Sequence, residues 1–267
     1  MAKNKFVAQA IREVTSSKKI NKKIHQKFKE FVNKFSGKEL DEFLFNVFSH
    51  EIYRNYYTCN YLIPDKIFKR STFKIRSHKR ELLWYKNIFL HNKDLINYFL
   101  NKQIEIEILI LNSKGKEALS EIADVVANTG QSLWALEYQT HIKKEFLNES
   151  NIAYLNELKN INTSGEMDFF VQQLTLKSES KDIKSFITNL LTQINLMRET
   201  EQDLYNQASD YADLFASLFI PYMYDSKRNV KTRTLSCMMS FPIIDQYILF
   251  KKYLIDRKNL NNGLESY

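Results

Sequence analysis

The stretch Asn112–Phe146, NSKGKEALSEIADVVANTGQSLWALEYQTHIKKEF, decides the fold that we predict for this chain. Apolar residues recur every three to four positions in its first half, which predicts a helix from about residue 116 to about residue 128. Gly130 ends that helix, because glycine after a helix adopts the left-handed conformation without a Cβ clash. Ser132 then caps a second helix. Because the turn between them is short, we predict an antiparallel hairpin.

The composition of the whole chain extends this prediction. Its 267 residues include only 5 Gly and 3 Pro, too few for the frequent tight turns of a strand-rich fold. We therefore predict an all-α protein of stacked antiparallel helix hairpins, an irregular α-solenoid of about ten to twelve helices. The predicted regions are a basic helical part over 1–92, a helical-repeat part over 93–259 and a frayed tail over 260–267, unless the chain forms one continuous domain.

Some predicted elements depend on a choice between two patterns. The segment IEIEILIL, residues 104–111, alternates like a strand, but we predict a helix because an isolated strand would have no pairing partner. Nearer the N-terminus, Ser17 is predicted to cap a helix over 18–35, and a further helix is predicted over 38–60.

The charge is unevenly distributed along the chain. Residues 1–100 hold 21 Lys and Arg against 9 Asp and Glu, whereas residues 101–267 hold 18 against 22. A basic region of this kind is typical of proteins with an anionic partner such as nucleic acid. The same asymmetry is equally expected when one half of a protein docks on the other, or when a helix simply has a solvated charged face.

The densest basic segment spans residues 65–80. Its cations alternate with Phe68 and Phe73, and a single-stranded nucleic acid needs such a mixture, since phosphates contact the charges and bases stack on the rings. The alternative is that both phenylalanines anchor this segment in the core. The candidate nucleic-acid-binding residues are Lys66, Lys69, Arg70, Lys74, Arg76, Lys79 and Arg80.

The sequence contains no recognisable catalytic motif. A Gly-rich phosphate loop, HExxH and GxSxG are all missing, and the five histidines are dispersed, with only His78 lying among arginines. Cys59 and Cys237 lie 178 positions apart, which favours neither a metal site nor a disulfide framework. We predict no catalytic residue, no metal and no cofactor, which leaves enzymatic activity open but disfavoured. No apolar stretch approaches the length of about 18 residues that spans a bilayer, so we expect a cytoplasmic protein.

Part of the chain resembles the tetratricopeptide class of helix-turn-helix repeats. Ala118 and Ala153 lie 35 positions apart, each after a polar turn, and Gly130 begins the segment GQSLWAL. The resemblance covers at most residues 95–161, and the proline found between units of that class has no counterpart here. It implies a scaffold whose concave face holds a peptide or protein segment.

Three hypotheses for function follow from these patterns. The first is a non-enzymatic helical-repeat scaffold that binds another protein through large aromatic side chains, for which the candidates are Trp84, Trp134 and Tyr138. The second is nucleic-acid binding through residues 65–80. The third is an accessory component of a bacterial defence or regulatory system, based on the small helical scaffold and a Lys-, Asn- and Ile-rich composition typical of AT-rich bacterial genes. The oligomeric state is left open.

Overall fold

The computed structural model describes residues 2–16, 19–58, 77–147, 177, 180, 182–200, 242–251 and 254. Every regular element among these residues is an α-helix, which confirms the predicted all-α class. Helices predicted between residues 148 and 176 and between 201 and 241 lie outside the described residues, and the solenoid arrangement stays a prediction. The described helices are α1 (Ala2–Thr15), α2 (Lys22–Lys34), α3 (Gly37–Ser49), α4 (Glu51–Tyr57), α5 (His78–His91), α6 (Lys93–Leu111), α7 (Gly115–Thr129), α8 (Leu133–Leu147), α9 (Ile183–Thr200) and α10 (243–251).

Helices α7 and α8 form the predicted antiparallel hairpin. Gly130 follows α7 with φ of +83°, so glycine is needed there, although its ψ of 165° lies outside the left-handed helical region. The Ser132 hydroxyl accepts a hydrogen bond from the Ala135 N–H at 3.1 Å, which confirms the predicted cap of α8. Ala118, one of the two alanines of the tetratricopeptide resemblance, is fully buried, while Ala153 lies outside the described residues.

The segment IEIEILIL is helical, as predicted, and forms the second half of α6. In a helix, isoleucines two positions apart lie on different sides. Ile106 is therefore fully buried, while Ile104 and Ile108 are exposed. Helix α6 packs antiparallel to α7. Lys102 contacts Glu121, whereas the earlier residue Tyr98 contacts the later residue Asp124, so the two helices run in opposite directions.

Two N-terminal predictions are wrong in detail. Helix α2 begins at Lys22, where the Asn21 side chain accepts a hydrogen bond from the Ile24 N–H at 3.0 Å, so Asn21 takes the capping role predicted for Ser17. The helix predicted over 38–60 is interrupted at His50, whose ψ of 123° is incompatible with a continuing helix. The interruption turns Tyr53 of α4 into the core, where its hydroxyl donates to the Val14 carbonyl at 2.8 Å.

Trp84 lies at the centre of the N-terminal core. Its side chain is fully buried, with the rings of Phe48 and Tyr57 each at 4.9 Å and that of Phe28 at 5.7 Å. A partner protein therefore cannot reach Trp84, contrary to its predicted binding role. The physical reason is that burial of a large tryptophan side chain in the core stabilises the fold more than exposure of the same side chain at the surface.

Helix α10 contacts helices on both sides of the predicted boundary at residue 92. Toward the C-terminal side, Asp245 accepts hydrogen bonds from the backbone of α8. Toward the N-terminal side, Gln246 donates to the Tyr57 carbonyl at 3.0 Å, and the Phe250 ring lies 5.2 Å from that of Tyr85. The short helix α10 thus joins the cores of the two predicted regions.

The start of α7 lies against the end of α8, and this contact leads to a prediction about Gly115. A Cβ atom at Gly115 would lie 2.5 Å from Cβ and 2.8 Å from Cγ of Phe146. We expect Gly115→Ala to lower the free energy of unfolding by about 1 to 3 kcal/mol through overpacking, despite the higher helix propensity of alanine. Chemical denaturation measures this change. Ser120→Ala, at an exposed position of the same helix, is the control, and an equal effect of both substitutions would contradict the prediction.

Candidate protein-binding surface

Most of the predicted nucleic-acid-binding residues lie outside the described part of the chain. These are Lys66, Lys69, Arg70, Lys74 and Arg76, so the prediction that they form a site stays a prediction. Lys79 is exposed on the first turn of α5. The Arg80 guanidinium donates through Nη1 to the Asn33 carbonyl at 2.6 Å, which holds the start of α5 beside the end of α2. His78 begins α5, but its side chain is not among those described.

Trp134 and Tyr138 belong mainly to the core between α6 and α8. Trp134 is 7% exposed and meets the Phe99 ring edge-on at 4.8 Å. Tyr138 is half-buried, and its hydroxyl donates to Glu107 at 3.2 Å. Burial and the Glu107 carboxylate raise the pKa of Tyr138 to about 12. Neither aromatic residue forms the exposed anchor that was predicted for a partner protein, because both stabilise the contact between helices.

An exposed apolar stripe instead runs along the outer side of α6. Ile104 is 58% exposed, Ile108 51% and Leu111 84%, and their spacing of four and then three residues places them on one side of the helix. We call these three residues the α6 stripe. Ile106, on the opposite side, is fully buried. Helix α6 therefore has two apolar faces, of which its own core uses one.

Acidic side chains flank the α6 stripe. Glu105 and Glu107 lie on either side of it, and the Lys102 ammonium is shared between Glu105 at 3.0 Å and Glu121 at 2.6 Å. Hydrogen bonding to Glu121 and then Glu105 raises the pKa of Lys102, so this lysine stays charged. Glu107 accepts hydrogen bonds from Gln103 and Tyr138, both neutral groups. Three glutamates and one lysine therefore lie beside Ile104 and Ile108, which gives the flanks of these two residues a net negative charge.

Asp245 is a buried acidic residue whose pKa is strongly raised. Its oxygens accept hydrogen bonds from the backbone N–H groups of Leu133 at 2.8 Å and Trp134 at 3.2 Å. Complete burial raises the pKa of Asp245 to about 7, against the opposing effect of these donors, and the nearby charge of Glu137 adds to the rise. A perturbed carboxyl group can indicate catalysis, but both oxygens here are occupied by the start of α8. The geometry therefore assigns Asp245 the role of a buried helix cap.

Three further findings concern metal ions, membrane-spanning helices and known relatives. Within the described ranges, no cluster of three His, Cys, Asp or Glu side chains is arranged to hold a metal ion. The helices that the structure describes include none with the length and apolar character needed to cross a membrane. Comparison of the chain with family models, curated proteins and solved structures gives no match.

The buried cap leads to a stability prediction. Asp245→Ala leaves two buried N–H donors at the start of α8 without acceptors, and we expect it to lower the free energy of unfolding by about 2 to 4 kcal/mol. Asp182 is the matched control, since it caps α9 in an exposed position by accepting from the Ser185 N–H at 2.8 Å. Asp182→Ala should cost only about 1 kcal/mol. Denaturant titration measures the free energy of unfolding of both variants. Equal losses in the two variants would show that burial of the cap does not increase its contribution to stability.

The same carboxyl group predicts how stability changes with pH. Because burial raises the pKa of Asp245 from 3.8 to about 7, the folded protein keeps a proton that the unfolded chain has already released. The contribution of Asp245 to stability should therefore fall as pH rises from about 4 to about 7. Asp245→Asn cannot ionise, so the stability advantage of the native protein over this variant should be smaller at about pH 8 than at about pH 5. An advantage that grows with pH would mean that the carboxylate form is the one favoured by folding.

Proposed function

We propose that this protein is a non-enzymatic helical scaffold that binds an amphipathic helix of another protein along the α6 stripe. The exposure of Ile104, Ile108 and Leu111 is the observation that carries the proposal. Burying an aliphatic side chain of this size contributes about 1.5 to 3 kcal/mol, so covering three of them gives a partner a substantial driving force. Contiguous apolar residues at the surface are typical of interaction sites.

The spacing of the stripe supports a helix as the bound element. Intervals of four and three residues are those of the d, a and d positions in a coiled-coil seam, which insert between side chains of a facing helix. Helix α6 has 19 residues, and at about 1.5 Å per residue it is long enough to receive several turns of a partner helix.

The flanking charges support a partner helix that carries Lys or Arg beside its apolar residues. With Ile108 at an a position, Glu105 and Glu107 occupy the e and g positions, whose side chains meet those of the facing helix. In an antiparallel pairing with a second copy of α6, e positions meet e positions and g positions meet g positions, which would place glutamates against glutamates and is unfavourable. Basic side chains at the edges of a partner helix would instead form complementary pairs.

The two other hypotheses drawn from the sequence concern different features. Nucleic-acid contact through residues 65–80 stays an alternative prediction and does not involve the α6 stripe. A role as an accessory component in a bacterial defence or regulatory system is compatible with a helix-binding scaffold, because such a component acts by recognising another protein.

Synthetic helical peptides test the proposal without knowledge of the natural partner. Two fluorescent peptides share Ile and Leu at a and d and differ only in having Lys or Glu at e and g. We expect the Lys peptide to bind at least about tenfold more tightly than the Glu peptide, a difference of about 1.4 kcal/mol. The chain carries a net charge of +8, so general attraction cannot explain this preference. Fluorescence anisotropy measures both affinities.

Substitutions in the stripe complete the experiment. Ile104→Ser with Ile108→Ser should weaken binding of the Lys peptide at least about tenfold, since the seam loses two apolar contacts. Ile52→Ser with Leu90→Ser, at positions 39% and 45% exposed on other helices, should leave it unchanged. Equal weakening by both double variants would contradict the proposal. Sedimentation tests whether a second copy of the chain occupies the stripe instead. If the native chain is a dimer and the Ile104→Ser, Ile108→Ser variant is a monomer, the surface would be assigned to a second copy.

A further inference from the structure

The first two helices carry a concentration of positive charge that the α6 stripe does not use. Residues 1–36 contain 10 Lys and Arg but only 2 acidic residues, Glu13 and Glu30. The excess in this short segment equals the net charge of +8 of the entire chain. The remainder of the protein is therefore neutral overall, and the N-terminal helices account for its basic character.

Helices α1 and α2 lie side by side in antiparallel orientation. Glu13, near the end of α1, accepts from the Lys27 ammonium at 2.9 Å, and the Phe6 ring lies 5.6 Å from that of Phe35. The opposite sides of both helices are buried: Val7, Ala10 and Val14 of α1, and Phe28 and Val32 of α2, are at most 1% exposed. The outer sides of the two helices therefore form one surface.

Four exposed cations lie on this outer surface. Lys5 and Arg12 are seven positions apart on α1, and Lys23 and Lys34 are eleven positions apart on α2, so each pair lies on one side of its helix. We call these four residues the cationic face. Glu13 is already paired with Lys27, which together with Gln9 lowers its pKa. Glu30, four positions before Lys34, lies on the same side of α2 as the two lysines and accepts a hydrogen bond from Gln26. The cationic face therefore contains one glutamate beside its four cations.

The cationic face continues toward the start of α5. The hydrogen bond from Arg80 to the Asn33 carbonyl brings that helix against the last turn of α2. Lys79, the neighbouring residue, is exposed. The described end of the basic segment predicted from the sequence therefore lies near the last turn of α2, which carries Lys34.

The chemistry of this surface favours phosphate groups over a protein or membrane ligand. Lysine is depleted in protein interfaces, whose binding energy comes from buried aromatic and apolar anchors. A membrane-bound helix needs an apolar side to insert, but the apolar side of α2 is buried, with Phe28 and Val32 inaccessible. Phosphates need only positive charge at suitable intervals, and lysine supplies it as a mobile point charge.

The arrangement also favours a duplex over a single strand. Single-strand sites stack bases on exposed rings, but the Lys34 ammonium lies over the Phe6 ring, 4.3 Å from its centre. Helix α2 has 13 residues and is about 20 Å long, which matches about six phosphates along one strand of a duplex. We propose that the cationic face binds the phosphate backbone of a duplex nucleic acid independently of base sequence. This inference does not depend on the function proposed for the α6 stripe.

Fluorescence anisotropy of the full chain with labelled duplexes of about 20 base pairs, in two unrelated sequences, tests the inference. Both sequences should bind with similar affinity, more tightly than a single strand of equal length, and affinity should fall steeply between about 50 and about 200 mM salt. Lys5→Gln, Arg12→Gln, Lys23→Gln and Lys34→Gln combined should weaken binding at least about tenfold and reduce the salt dependence by about 0.9 for each lost phosphate contact.

A second quadruple variant controls for net charge. Lys93→Gln, Lys116→Gln, Lys184→Gln and Lys251→Gln remove four exposed cations from other helices and should leave the affinity nearly unchanged. Equal weakening by both variants, or absence of duplex binding by the native chain at about 50 mM salt, would overturn the inference. Vesicles of phosphatidylcholine and phosphatidylserine provide the remaining comparison: binding to vesicles but not to duplexes, lost only in the first variant, would assign the face to an acidic membrane surface. Circular dichroism verifies that both variants fold.

Discussion

The described structure depends on a buried carboxyl group that reaches the start of a helix from far along the chain. Asp245 of α10 accepts from the backbone N–H groups of Leu133 and Trp134, and Ser132 accepts from the next turn of α8. The beginning of α8 is buried, so its N–H groups need protein acceptors instead of water. Because Gln246, the next residue of α10, bonds to the Tyr57 carbonyl, the same helix also attaches to the N-terminal core. One short helix thereby satisfies polar groups of two cores at once.

This internal arrangement determines which surfaces remain available for binding. Phe99, Ile106 and Trp134 fill the interior beneath α6, so the outward isoleucines of that helix have no place in its own core. The N-terminal helices bury Val14, Phe28 and Val32 in the same way and leave lysines outside. The two candidate surfaces therefore differ in chemistry, the α6 stripe being apolar with acidic edges and the cationic face being polar throughout. They lie on different helices and suit different ligands.

The sequence predicted local structure well because local structure depends on neighbouring residues. The Ser132 cap, the glycine at position 130 and the helical state of residues 104–111 each follow from side chains within a few positions. Periodicity alone could not distinguish the buried Trp84 from a surface anchor. The spacing of apolar residues shows which of them lie on the same side of a helix, but it does not show whether another helix covers that side. The α6 stripe was detectable in principle, because apolar residues on two opposite sides of one helix need two separate surfaces to cover them. Asp245 was not, because its partners lie more than 100 positions away.

The order in which the chain is synthesised determines when the Asp245 contact can form. Residues 133 and 134 leave the ribosome well before residue 245, so the start of α8 lacks its acceptor while residues 135–244 are synthesised. Contacts between distant residues form late, because the intervening chain must first lose conformational entropy. The hairpin can thus assemble early as a local unit, whereas the hydrogen bonds from α10 form only after residues 245 and 246 have been synthesised. A nascent chain halted before α10 would carry both candidate surfaces but would lack the hydrogen bonds from α10 to α8 and to the N-terminal core.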